Sequence, residues 1–211
     1  MMKSPSLDDL RAIARLSNAV LPLDLIEYRA GEPDFGRLCD LIDRAIDSCA
    51  LRMSQFPKEM DGQTEDQLSI MLILQLCQIG FNATHDTTSG GHCDIVISEG
   101  AEFLWLGEAK KVSAVNNFWI AAGYDQLFGR YATGQPGQDR GSLIIFCNCE
   151  RIDIILEKWL EYFVEKYPNA SIISKSKDEI IFNSSEPSIR TGRPFNVRHK
   201  TISAYFAPLH T

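Results

Sequence analysis

Two carboxylates and one ammonium stand close together in the middle of the chain: Asp94, Glu108 fourteen residues on, and Lys110 two residues later. They lie in the stretch Gly90 to Lys111, GGHCDIVISEGAEFLWLGEAKK. Its two apolar runs, CDIVIS and EFLWLGEA, are parted by a turn at Glu99 and Gly100, a pattern that predicts a hairpin of two strands. Alternation puts Asp94, Val96 and Ser98 on one face of the first strand, and Leu104, Leu106, Glu108 and Lys110 on one face of the second. The strands are otherwise apolar, and burying an unpaired charge in such surroundings is costly. The chemistry this combination points to is a divalent cation held by Asp94 and Glu108, with Lys110 ordering what the cation holds.

A chain of 211 residues with 45% hydrophobic content is large enough for one domain with a substantial core. Within it, residues 1–60 read as a helical extension, 64–148 as the core around the hairpin, and 149–211 as a helix and strands completing a sheet. No apolar run approaches membrane-spanning length, and MMKSPSLDDL lacks the apolar core of a signal peptide, so the expected setting is cytoplasmic, away from membranes. Six cysteines form no CxxC pair and four histidines are scattered, which argues against zinc. The net charge of −7 sits awkwardly with a phosphate-binding protein, but the acidic excess falls in the first hundred residues. Arg190, Arg193, Arg198, His199 and Lys200 form a candidate phosphate-facing patch near the other end, with an ordinary solvated basic surface as the alternative.

Periodicity predicts helices over Ser6–Leu21, ended by Pro22, and over Asp34 to about Gln55, with YRAGEPDFG and PKEMDGQ as loops. A third helix begins at Thr64, where Thr64 and Gln67 fit a capping box, and ends at Gly80. Phe81–Asp86 reads as a strand and TTSGGH as a turn. Ser113 to about Ala132 is a fourth helix, carrying Trp119, Ala122, Gln126, Phe128 and Tyr131; Ser142–Asn148 is a buried strand. Then come a helix over Arg151–Tyr167, strands SIISK and DEIIFNS, the loop SSEPSIRTGRP, and a last strand in FNVRHKTISAYFAPL.

Asp94 followed by Glu108-Ala109-Lys110, in this hairpin setting, resembles the D and (D/E)xK signature of the PD-(D/E)XK nuclease superfamily. The order helix, three strands, helix, strand over residues 64–148 is similar to that family's restriction-endonuclease-like αβββαβ core, an α/β class fold (an α+β sandwich) with a central mixed sheet flanked by helices. Gly91-x-x-Asp94 resembles the family's approach to the aspartate, although Cys93 replaces the usual proline. Gln126-Leu127-x-x-Arg130-Tyr131 resembles a pattern that follows the (D/E)xK strand in several branches.

The resemblance implies a metal-dependent endonuclease acting on phosphodiester bonds, of double-stranded DNA above RNA, leaving 5′-phosphate and 3′-hydroxyl. Mg²⁺, with Mn²⁺ able to substitute, would be held by Asp94, Glu108 and the Ala109 backbone carbonyl. Lys110 would position or help deprotonate a water, or stabilise developing charge. Glu65 matches a glutamate that reaches the metal site in relatives, while its position equally suits an anion at a helix N-terminus. Gln126 can orient a water or phosphate oxygen, and Arg130 can grip a phosphate. Lys111, Arg193, Arg198 and Lys200 are further candidate contacts, and His92 a candidate proton carrier. A homodimer, or a larger partner supplying recognition or activation in a defence or mobile-element system, is the expected assembly. Two alternatives stay open: a nuclease-fold subunit that binds without cleaving, and an unrelated α/β protein in which Glu108 and Lys110 form only an ion pair.

Overall fold

The computed structural model describes residues 5–17, 19–85, 87–88 and 92–207, with the backbone alone at Thr87, Thr88 and His92. Gly90, Gly91, Asp86 and the His92 side chain therefore lie outside the described residues. The helices are α1 (Leu7–Leu16), α2 (Val20–Arg29), α3 (Phe35–Ser54), α4 (Pro57–Met60), α5 (Glu65–Ile79), α6 (Asn117–Asp125) and α7 (Ile152–Lys166). A π-helical segment, Gln126–Tyr131, continues α6. The strands are β1 (Ala83–Thr84), β2 (Thr87–Thr88), β3 (His92–Cys93), β4 (Ile95–Glu99), β5 (Phe103–Val112), β6 (Arg140–Cys147), β7 (Ser171–Ser176), β8 (Ile181–Pro187) and β9 (Pro194–Ser203).

Seven strands form one mixed sheet in the order β1-β4-β5-β6-β9-β8-β7. The pairs β5/β6 and β6/β9 are parallel and the others antiparallel. Alternation along the strands divides the core into two layers. Ile95, Ile97, Trp105, Ala109, Ile144, Phe146 and Ile202 pack against α2, α3 and α5. Val96, Leu106, Leu143, Ile145, Phe182 and Val197 pack against α6, the π segment and α7. The result is an α/β protein whose central mixed sheet is flanked by helices on both faces. Among the described residues no helix is long and apolar enough to cross a membrane.

Local chemistry explains where the elements begin and end. The Thr64 hydroxyl accepts from the Gln67 N–H at 3.2 Å while the Gln67 side chain accepts from the Thr64 N–H at 2.8 Å, closing the capping box that starts α5. Gly80 ends the same helix at φ 114°, a conformation that favours glycine.

Several boundaries differ from the sequence-based expectation. Pro22 does not end a helix over Ser6–Leu21: α1 stops at Leu16, and α2 starts at Val20 with Pro22 in its first turn, where a missing N–H costs nothing. Tyr28 and Arg29, expected in a loop, close α2. The loop PKEMDGQ contains the short helix α4, with Pro57 at its first position. Among the described residues the strand expected over Phe81–Asp86 is reduced to β1, and the expected turn contributes β2 and β3, a separate two-stranded ribbon. β8 runs on to Pro187 into the expected SSEPSIRTGRP loop, and the last strand ends at Ser203.

Candidate functional site

β5 carries the (D/E)xK residues, and its alternation sends Glu108 and Lys110 to the α6 face of the sheet. Glu108 is 2% exposed and Lys110 4%. The Lys110 stem fits beneath α6 because Gly123 lies above it: a Cβ there would come within 2.7 Å of Lys110 Cγ. Lys110 Nζ donates to Glu108 Oε1 at 2.7 Å and to the Ala109 carbonyl at 2.8 Å, and lies 3.5 Å from Glu65 Oε1.

Asp94 comes from the point where the chain turns from β3 into β4. The β4/β5 ladder ends at the pair Ile95 and Gly107, leaving the Ala109 N–H without a strand partner on that side. The Asp94 carboxylate takes the role, accepting from Ala109 N at 2.8 Å, and His85 Nδ1 lies 2.8 Å from the Asp94 carbonyl. Asp94, Ala109, Glu108 and Lys110 thus meet at the open end of the hairpin, away from its turn. Glu65, the first residue of α5, accepts from the Lys111 N–H and the Trp119 indole N–H (3.4 Å), tying the start of α5 to the end of β5.

These groups line an open cleft of about 680 Å³, together with Asp66, Trp119, Ala122, Asp125, Gln126 and Arg130. Among the described residues carboxylates outnumber cations there, and burial adds to the strain. Burial, then the nearby Asp94 charge, pushes the Glu108 carboxyl up to about 7 although Lys110 opposes the shift. Burial also raises Asp94, against the Ala109 N–H bond. For Lys110, burial works to lower the ammonium, but Glu108, Glu65 and Asp94 outweigh it and the net shift is upward. Among the described residues, Glu108 Oε2 is buried with no hydrogen-bond partner. An orphaned buried carboxylate oxygen costs free energy that a bound cation or proton relieves.

The structure brings Asp94, Glu108, Lys110, Glu65, Gln126 and Arg130 to one cleft. Lys111 is half-buried near it, with Nζ donating to the Gln63 carbonyl. The C-terminal patch does not form as expected. Arg198 (6% exposed) and Lys200 (8%) point to the opposite face of the sheet, where Arg198 Nη2 meets Asp47 at 2.8 Å and Lys200 Nζ meets it at 3.1 Å. His199 lies on the α7 side, wholly buried: it accepts from the Trp159 indole at 3.0 Å, stands 2.8 Å from Ser184 Oγ, and burial drives it well below the usual histidine range. Arg193 is exposed. Trp119, His85 and Gly123 also belong to the site, with no motif in the sequence that assigns them a role. Trp119, Ala122, Gln126 and Arg130 follow a spacing of three, four and four residues, a helical stripe that could have marked Trp119 as cleft-facing.

Among the described residues no three His, Cys, Asp or Glu side chains form a metal-holding group. Mg²⁺ does not require one, since it takes one or two carboxylates and keeps several waters. Asp94, Glu108 and the Ala109 carbonyl form an all-oxygen donor set, and the free Oε2 of Glu108 fits the demand of a hard cation. Compared with models of known protein families, with curated proteins and with solved structures, the chain matches none.

Proposed function

We propose that this chain is a metal-dependent nuclease of the restriction-endonuclease-like kind, hydrolysing phosphodiester bonds in the cleft between α5, β5 and α6. The observation that carries the reading is the orphaned Glu108 Oε2 beside Asp94, in a cleft with more carboxylates than cations. Asp94, Glu108 and the Ala109 carbonyl would hold Mg²⁺ or Mn²⁺. The bound ion supplies Lewis acidity and a water of lowered pKa.

The chain's own residues do the rest. Asp94, braced by the Ala109 N–H at 2.8 Å, keeps its second oxygen available to the site. Lys110, surrounded by three carboxylates, stays charged and acts as a donor to the charge that builds on the phosphate. Gln126, in the cleft lining, would orient the attacking water, and Arg130, also in it, would hold a flanking phosphate. Water oxygen bonds to phosphorus while its proton passes to solvent, the bond to the 3′ oxygen breaks, and the leaving oxygen takes a proton from solvent.

The reading in which Glu108 and Lys110 form only a structural pair, or the fold binds without cleaving, has the 2.7 Å Lys110–Glu108 contact in its favour. It accounts for Glu108 Oε2 only while that carboxyl carries a proton. The test is cleavage of plasmid DNA and of single-stranded oligonucleotides with Mg²⁺ by the wild-type chain and by Asp94→Ala. Nicking that disappears in the variant is expected; equal activity in both, or none in the wild type on either substrate, removes the proposal.

A further inference from the structure

The Trp119 ring is part of the cleft wall, and its surroundings say what it is for. It is 45% exposed, although tryptophan is normally well covered. Its indole N–H is held by Glu65 Oε2 at 3.4 Å, and Lys110 Nζ lies 5.3 Å from the ring centre. The ring is therefore fixed in orientation and adjoins the carboxylates on which the proposed reaction centres.

The same cleft is poor in the groups that normally bind a phosphate backbone. Among the described residues five carboxylates line it against Lys110 and Arg130, and Lys110 is engaged with Glu108. Phosphate contacts alone give such a surface little affinity for a polyanion. A fixed, exposed indole offers binding of another kind, because every base has a face that stacks on it whatever the sequence.

From this juxtaposition, and resting on the nuclease reading above, we infer that Trp119 is a stacking platform for an unpaired base and that the strand taken at the cleft is single-stranded at that nucleotide. A base resting on the ring belongs to a nucleotide whose phosphate reaches Lys110 and the carboxylates. In an intact duplex that base is paired and stacked, and reaching the ring means extruding it. This replaces the double-stranded DNA that the family resemblance implies with an unpaired strand or unpaired end as the preferred substrate.

The chain provides its own probe. Of its three tryptophans, Trp105 is 1% exposed and Trp159 fully buried, so quenching of intrinsic fluorescence by a ligand reports on Trp119. A short oligothymidylate titrated into the wild-type chain with Mg²⁺ should quench saturably, and the same strand annealed to its complement should quench far less. By anisotropy of a labelled strand, Trp119→Ala should weaken binding about tenfold or more, while Trp119→Phe, which keeps a ring, stays within a few-fold of wild type. With two cations at the cleft, the slope of log affinity against log salt should be about −1.5 or shallower. Equal quenching by duplex, or unchanged binding in Trp119→Ala, overturns the inference. Its failure is separable from that of the nuclease reading: Trp119-dependent binding without any cleavage sinks only the latter, and Asp94-dependent cleavage indifferent to Trp119 sinks only the former.

Discussion

Two clusters of buried charge lie on opposite faces of the same sheet, and they are built differently. On the α3 face, Arg198 and Lys200 meet Asp43 and Asp47, two cations against two carboxylates, with Asp47 contacts at 2.8 and 3.1 Å. On the α6 face, Lys110 alone meets Glu108, Glu65 and Asp94, and Glu108 Oε2 is left over. Both clusters raise a carboxyl through burial: Asp43 is pushed up to about 6 and Glu108 up to about 7. A raised carboxyl therefore does not separate a site from a structural tie. What separates them is whether the charges cancel and whether a buried polar atom is left without a partner: among the described residues the cluster joining α3 to β9 leaves none, and the cleft leaves Glu108 Oε2.

The largest test of that contrast is catalytic. Glu108→Gln should lower cleavage about 10³-fold or more, while Asp47→Asn should leave the rate per folded molecule unchanged. Equal losses in both variants would erase the distinction. Next comes stability: Asp47→Ala leaves Arg198 and Lys200 without their main partner and should cost about 3 kcal/mol in urea unfolding. A cost near zero would mean the α3 cluster is not a structural tie.

The third test is pH dependence without metal. The Glu108 carboxyl sits at about 7 in the folded chain against an ordinary 4.5. Between those values the folded chain holds a proton that the unfolded chain has released. The stability contribution is full below the ordinary value and is lost as pH rises through about 7, on the order of 3 kcal/mol in total. Glu108→Gln should flatten this fall and be more stable than wild type at alkaline pH. Asp43 contributes a fall of the same sign at lower pH, so the slope left in the variant should lie there. An unaltered profile would contradict the assigned Glu108 environment. The smallest effect concerns placement: Gly123→Ala crowds the Lys110 stem and should slow cleavage about tenfold while leaving Mg²⁺ binding intact. Parallel loss of metal binding would show that Gly123 supports more than Lys110.

The hairpin was legible because its information is local: alternation alone assigns Glu108 and Lys110 to one face, and a turn pair separates the strands. The capping box at Thr64 and Gln67 was legible for the same reason. Arg198 and Lys200 were misread because their partners on α3 lie far away in sequence, with Asp47 removed from Arg198 by 151 positions. Four basic residues in a short stretch look like a surface until the sheet shows that alternate ones point inward. Asp94 was recognised as a carboxylate of the site, but its bond to the Ala109 N–H depends on where the β4/β5 ladder stops, which no pattern in the chain encodes. Pro22 misled because proline ends a helix in its interior but is tolerated in its first turn.

The most direct test is calorimetric titration of Mg²⁺ into the wild-type chain and into Glu108→Gln at alkaline pH, repeated below neutrality for the wild type. The expected result is saturable binding by the wild type, lost in the variant and weakened at the lower pH, where a proton competes for Glu108. No binding by the wild type, or equal binding by both chains, would contradict a metal centre at Asp94 and Glu108.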